Sequence, residues 1–353
     1  MSGIVTMLEH SLAAIPLNPL LSGSCGVDKA LTPASLRVLL VGLVPLLLGL
    51  AWLNRVRDRL PARFAVMALG VLFFELFTAP MWNNAHLGGW AYLYRDVSWL
   101  LTLTWTVLFL VVVELVDRLL PRWRALPRFW LTLAAITALT LPLELVLVAS
   151  GIRSYAPEVR EAALGGFVNG VPVAILYYVP VFAALVIGFY RYWSLVLDDT
   201  LVIPVRRIRW RRGVLLATVA VLLFELMVEP MVMNRGFPAW GYVYRDINLV
   251  MTGIWVLVIA ITALLVNRLF LLQPMAFRMV MAVLVATAIA LPIEYGLYAA
   301  GLRVYGPSAV ANFSGFTIPL VGAPIEIAFA IPCYMALVLA TIRYWEIVLD
   351  NRF

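Results

Sequence analysis

Residues 64–81 read FAVMALGVLFFELFTAPM, and residues 214–231 read VLLATVAVLLFELMVEPM. Each run is about as long as a helix must be to cross a bilayer core. Each is apolar on every face until a glutamate, Glu75 or Glu225, interrupts it; a proline, Pro80 or Pro230, follows five residues later. A surface helix of a soluble protein would show a polar face, and these show none. Working outward, similar runs lie at approximately 36–54, 97–116, 129–149, 171–190, 247–266, 279–299 and 319–340, making nine expected spans. The 353-residue chain is 64% hydrophobic and only 13% charged, and its mean hydropathy is +0.98. A soluble chain of this size needs far more charged surface. The expectation is an all-α integral membrane protein in which the bundle is the protein.

The net charge of +7 sits in short loops between apolar runs, which reads as a topology signal and not as a nucleic-acid surface. Alternate connections hold the arginine clusters 55–63, 118–128 and 191–212, then Arg268, Arg278, Arg343 and Arg352. The opposite connections are poor in arginine. The rule that positive loops stay inside then expects an inner-membrane protein with its N-terminus outside and its C-terminus in the cytoplasm. Residues 1–35 lack a basic leader and a clean cleavage site, and Ile4 to Leu21 reads as an interfacial segment.

Two cysteines, Cys25 and Cys333, offer no disulfide framework or paired-cysteine metal site. His10 and His86 are far apart, and Lys29, the single lysine, precedes the strong spans. No metal or cofactor is expected; the expected partners are membrane lipids and a lipophilic small molecule, and the oligomeric state is left open.

The opening pair belongs to a longer repeat. Trp90-Ala91-Tyr92-Leu93-Tyr94-Arg95-Asp96 returns as Trp240-Gly241-Tyr242-Val243-Tyr244-Arg245-Asp246. Leu141-Pro142-Leu143-Glu144 returns as Leu291-Pro292-Ile293-Glu294, and Gly151, Arg153, Tyr155 and Pro157 return as Gly301, Arg303, Tyr305 and Pro307. After a slip of two residues, Pro172 and Arg191 match Pro324 and Arg343. Four spans per copy return the chain to its starting side, so two parallel four-helix copies are expected, related by an axis along the membrane normal. The organisation is an interfacial segment (1–35), an extra helix (36–60), a first copy (61–203) and a second copy (204–353). The segment Asp198 to Arg212 reads as a cytoplasmic linker.

Seven carboxylates fall inside the expected spans: Glu75, Glu114, Glu144, Glu225, Glu229, Glu294 and Glu326. Each costs roughly 2.5–3.5 kcal/mol at mid-membrane when charged and unpaired, so intramembrane acids face a bundle interior and find partners. Glu114, beside Asp117 and Arg118, reads as a solvated helix-end residue. The other six share the outer half. Aromatics at span ends ordinarily form an interfacial belt, and the duplicated Glu75, Glu144, Glu225 and Glu294 fit scaffold pairs with arginine as well as they fit a site. Only the second copy has Glu229 and Glu326; the first has Ala79 and Ala174 there. Glu225 and Glu229, four apart on one helix face, repel, so one of them should hold a proton. A carboxylic acid kept neutral in an apolar cavity can protonate an alkene or activate an allylic alcohol. Glu229 and Glu326 are therefore the leading acid and base candidates, with Glu225 and Glu294 tuning them. Met231, Trp240, Tyr242, Asp246, Tyr295 and Arg303 are candidates for substrate contact. The first-copy counterparts are Glu75, Glu144, Asp96 and Arg153.

Glu294, the loop Gly301-Leu302-Arg303-Val304-Tyr305-Gly306-Pro307 and the helix start Pro324-Ile325-Glu326 follow one another in a characteristic order. In that order the chain resembles the small integral membrane lycopene cyclase domains, and more loosely the membrane-bound carotenoid hydratases. It departs where the family has a second glutamate, since Ile327 stands there, and where a loop aromatic is replaced by Arg303. The resemblance implies cofactor-free acid–base chemistry on an isoprenoid. Cyclisation, isomerisation and hydration stay open, as do two rivals: a proton-coupled transporter, which repeats and broken helices also suit, and a non-catalytic membrane assembly factor.

Overall fold

Apolar runs become helices here because a backbone without water must satisfy its own hydrogen bonds. The computed structural model describes residues 28–163, 166–199, 209–319 and 322–351. Residues 1–27 of the expected interfacial segment, with His10 and Cys25, and residues 200–208 of the linker lie outside these.

The first helix, α1 (Pro33–Val56), opens on a capping box in which Thr32 and Ser35 cap one another. Then come α2 (Leu60–Thr78), β1 (Trp82–Asn84), β2 (Tyr92–Tyr94), β3 (Val97–Ser98), α3 (Trp99–Leu119), α4 (Ala125–Ala149), β4 (Arg153–Tyr155), the short α5 (Pro157–Ala162), β5 (Phe167–Val168), β6 (Val171–Pro172) and α6 (Ile175–Leu197). After residue 209 the chain runs through α7 (Trp210–Val228), β7 (Val232–Asn234), β8 (Tyr242–Tyr244), β9 (Ile247–Asn248), α8 (Leu249–Leu269), α9 (Met275–Ala299), β10 (Arg303–Tyr305), the short α10 (Pro307–Asn312) and α11 (Ile325–Asn351). Helices dominate, and every strand is two or three residues long. The strands lie together at one end of the long helices, here called the strand end. The arginine-rich connections lie at the other, the arginine end.

Among the described residues, eight helices are long and apolar enough to cross a membrane, so the chain is a multi-pass membrane protein by length and composition. The remaining expected span, approximately 213–233, forms α7, but that helix holds Arg211, Arg212 and Glu225 within 19 residues and falls outside the set. Two spans begin well after their expected starts. Residues 167–172 form the β5–β6 hairpin, so α6 begins at Ile175; a bridge between Thr317 and Pro324 delays α11 to Ile325. Both then run beyond the expected ends, to Leu197 and Asn351, with Pro180 and Pro332 inside them.

The most enclosed helices are α6 and α11, which pack on each other; α2 and α7 flank them, and α1 leans chiefly on α3. Gly188 makes the α6–α11 approach possible. A Cβ there would sit 2.8 Å from Thr341 Cγ2 and closer still to its hydroxyl, and small residues at such crossings let helix backbones approach. At the arginine end Glu114 departs from the solvated reading. It is buried, 3.3 Å from Arg57 Nη1 and 2.6 Å from Arg118 Nε. A buried carboxylate is tolerated only with such partners.

Candidate functional site: a carboxylate-lined cavity at the strand end

The site is built by the way α9 stops. Its cap residue is Ala300, and Gly301 follows with φ +69°, a left-handed conformation that suits glycine. Gly301 N donates to Tyr298 O and Leu302 N to Leu297 O, the paired bonds of a Schellman ending. The chain therefore folds back at once into β10, which pairs antiparallel with β7, Arg303 opposite Asn234 and Tyr305 opposite Val232. Strand alternation puts Arg303 and Tyr305 on one face, and that face meets Glu294, one turn back in α9. Arg303 Nε lies 2.9 Å from Glu294 Oε1, Arg303 Nη2 3.2 Å from Oε2, and the Tyr305 hydroxyl donates to Oε1 at 2.6 Å. Arg303 Nη1 donates to Asn234 Oδ1 at 2.6 Å. Burial and the adjoining carboxylate push the Tyr305 phenol well above its usual range, so it stays a donor.

Glu225 meets a different partner, accepting from Thr252 Oγ1 at 2.5 Å in the first turn of α8. Glu326 lies in the first turn of α11. Its Oε1 accepts from Ser314 N at 2.5 Å and from the Tyr94 hydroxyl at 3.2 Å. Burial pushes the Tyr94 phenol up, so it also remains a donor. The other oxygen of Glu326, Oε2, is buried with no hydrogen-bond partner among the described residues.

Glu225, Glu294 and Glu326 all line one cavity of about 150 Å³. Arg303, Tyr305 and Met231 line it too, with Trp255 and Tyr334. The segment 76–80 and Tyr94 close it from the first half of the chain. Much of the wall is apolar, and Phe224 stacks on Tyr334 with centroids 3.8 Å apart. Among the described residues no group of three or more acids, histidines or cysteines is arranged to hold a metal ion.

The matching place in the first half is smaller. Glu75 accepts from Thr102 Oγ1, Glu144 Oε2 accepts from the Tyr155 hydroxyl at 2.8 Å, and Arg153 Nε is 3.7 Å from Glu144. Gly151 ends α4 as Gly301 ends α9, with the same paired bonds. Glu75, Glu144 and Arg153 line a cavity of about 40 Å³. Two differences account for its size and chemistry. Tyr178 projects into it where the larger cavity has Ala330, and Ala174 stands where the larger one has Glu326.

Several expected residues lie elsewhere. Glu229 does not line the large cavity and does not meet Glu326. Past the last turn of α7, it sits 3.5 Å from Arg245 Nη1, whose Nη2 donates to Ala162 O at 2.8 Å. Nor do Glu225 and Glu229 face each other, since Thr252 takes one and Arg245 the other. Trp240 is 72% exposed and lines no described cavity. The Tyr242 hydroxyl donates to Asn234 O at 2.9 Å, and the backbone oxygens of Asp96 and Asp246 accept from Asn84 and Asn234 Nδ2 at 2.5 and 2.6 Å. These groups frame the hairpins and do not line the cavity. Burial raises the Asp246 carboxyl, against the pull of Arg235 and Arg245. The Tyr295 hydroxyl is buried outside the cavity without a partner among the described residues. The residues not singled out from sequence are Thr252, Asn234, Trp255 and Tyr334. The signal for the first three was present: Thr102, Asn84 and Trp105 precede them by 150 residues.

No protein-family model matches the chain, and no curated protein or solved structure matches it.

Proposed function

We propose that the larger cavity is the active site of a membrane enzyme that performs cofactor-free acid–base chemistry on a lipophilic isoprenoid. The observation that carries this is Glu326 Oε2, a buried carboxyl oxygen without a partner among the described residues, on the wall of a largely apolar cavity. In its acid form Glu326 donates the Oε2 proton to a substrate double bond. The new C–H bond leaves a cation on the neighbouring carbon, over the faces of Trp255, Phe224 and Tyr334, where aromatic quadrupoles favour positive charge. Loss of a proton from an adjacent carbon to Glu225 or back to Glu326 gives a cyclised or isomerised product. Capture by water, with loss of that water's proton, gives a hydrated one. Glu294 is already bound to Arg303 and Tyr305, so its role is to hold that wall in place. Glu326 and Glu225 replace Glu229 as the leading acid and base.

A cavity of about 150 Å³ is ring-sized, comparable with engineered apolar cavities that admit benzene. It takes the end of an isoprenoid chain and leaves the rest to lie along the bundle. The reading includes two same-facing copies, nine crossings counting α7, and an outer strand end in the inner membrane. The arginine distribution and the repeat support it. Each described cavity draws its lining from the strand end, which fits an enzyme better than a transporter.

The test incubates membranes containing the protein with a panel of polyprenoids and analyses products by mass spectrometry. Glu326→Gln keeps the shape and removes the acid; the expected loss of turnover is about 100-fold or more, as for a positioned general acid. Turnover that is equal in the variant would exclude this role for Glu326.

A further inference from the structure

The two halves carry matching clusters at the arginine end, and they differ in the residue on which both guanidiniums converge. In the first, Asp117 near the end of α3 accepts from Arg191 of α6 at 2.5 and 2.8 Å. Arg128 of α4 adds its Nη1 at 3.5 Å. Two guanidiniums share one carboxylate. In the second, Arg278 of α9 and Arg343 of α11 occupy the corresponding places, but Asn267 of α8 stands where Asp117 would be. Arg278 Nη2 donates to Asn267 Oδ1 at 2.5 Å, and Arg343 Nη2 reaches the same oxygen at 3.4 Å. Arg343 also pairs with Glu346 at 2.7 Å. The Arg278 guanidinium makes no ion pair among the described residues, and Asn267 is the hydrogen-bond partner it has there.

An amide oxygen accepts a hydrogen bond but carries no charge, so the point on which the two arginines converge is uncharged here, and Glu346 pairs with Arg343 alone. A guanidinium pair of this kind matches a phosphate, whose oxygens take parallel N–H donors. The amide nitrogen of Asn267 supplies a further donor that aspartate lacks. Arg278 also lies in the first turn of α9, where the helix dipole favours an anion. All three side chains are half-buried, so they are ordered yet reachable. They sit at the ends of membrane helices, at the level where lipid headgroups lie.

We propose that Arg278, Arg343 and Asn267 form a site for one phosphate-bearing anion, a lipid headgroup phosphodiester or free phosphate. It lies against the two guanidiniums beside the Asn267 amide and supplies the negative charge that the Asp117 carboxylate supplies in the first half.

The test uses the full chain purified in detergent. Dioleoylphosphatidylglycerol binding is followed by native mass spectrometry, and inorganic phosphate binding by thermal shift, each in the wild type and in Asn267→Asp. That substitution installs the missing carboxylate, and the expected result is a loss of affinity of about tenfold or more. Loss confined to the lipid arm assigns a headgroup; loss confined to the phosphate arm assigns the free ion. Asp117→Asn should add a second binding event of the same kind. Arg278→Gln guards against a folding defect in Asn267→Asp and should show the same loss. Equal binding by the wild type and a folded Asn267→Asp or Arg278→Gln variant, or no binding in either arm, overturns the proposal.

Discussion

Arg303 is the most committed side chain in the cavity wall. Its guanidinium meets Glu294, Asn234 and, at 5.9 Å, the Trp255 ring. Arg303→Ala would leave the Glu294 carboxylate buried with the Tyr305 hydroxyl as its remaining donor. Removing one partner of a buried ion pair typically costs about 3–5 kcal/mol, most of it the stranded charge. Arg153→Ala should cost less, because Arg153 stands 3.7 Å from Glu144 and makes a weaker pair. Unfolding of the two variants in detergent orders them; equal losses would show that the geometric difference has no energetic weight. At this scale sequence was informative about which residues were anomalous and uninformative about where they point. An acid in an apolar run is visible at once. Helical spacing placed Glu225 and Glu229 on one face. It could not show that Glu229 lies past the last turn, level with Arg245, while Glu225 lies within reach of Thr252.

The elements depend on two kinds of glycine. Gly301 has φ +69°, and a Cβ there would meet nothing within 4 Å. Gly301→Ala therefore costs backbone strain alone, about 1 kcal/mol, and should leave β10 and the cavity intact. Gly188 has an ordinary helical backbone but no room, since an added methyl would lie 2.8 Å from Thr341 Cγ2 and closer still to the hydroxyl. Gly188→Ala forces α6 from α11, and overpacking of that kind costs about 1–3 kcal/mol. Thermal unfolding in detergent should rank Gly188→Ala below Gly301→Ala, and Thr341→Ser, which removes a methyl but keeps the hydroxyl, should restore part of the loss. If Gly301→Ala is the worse, the Schellman ending matters more than the helix crossing. The long helices were readable from hydropathy because the membrane leaves the backbone no alternative. The short strands were not, since two or three residues carry too little pattern to distinguish a hairpin from a loop.

On the scale of the whole molecule, one wall plan is used twice with different fillings. Sequence showed the recurring motifs and the two extra acids of the second half. It did not show that the acids diverge, Glu326 to Tyr94 and Glu229 to Arg245, because that depends on how the halves face each other. Nor did it single out Tyr178 against Ala330, since an alanine or a tyrosine in an apolar run carries no signal until the space around it is known. That pair is expected to decide which half has a usable cavity. Ala330→Tyr should fill the larger cavity as Tyr178 fills the smaller, abolishing the turnover proposed for it. Tyr178→Ala should open the first-half cavity, at a cost of about 3–5 kcal/mol for a buried aromatic truncated to alanine. It should not create activity, because Ala174 supplies no acid there. Adding Ala174→Glu to Tyr178→Ala completes the second-half arrangement in the first half. Weak turnover in that double variant, carried in an Ala330→Tyr background, would show that cavity volume and one carboxyl facing it are together sufficient. Retention of full turnover by Ala330→Tyr alone would place the reaction somewhere other than this cavity.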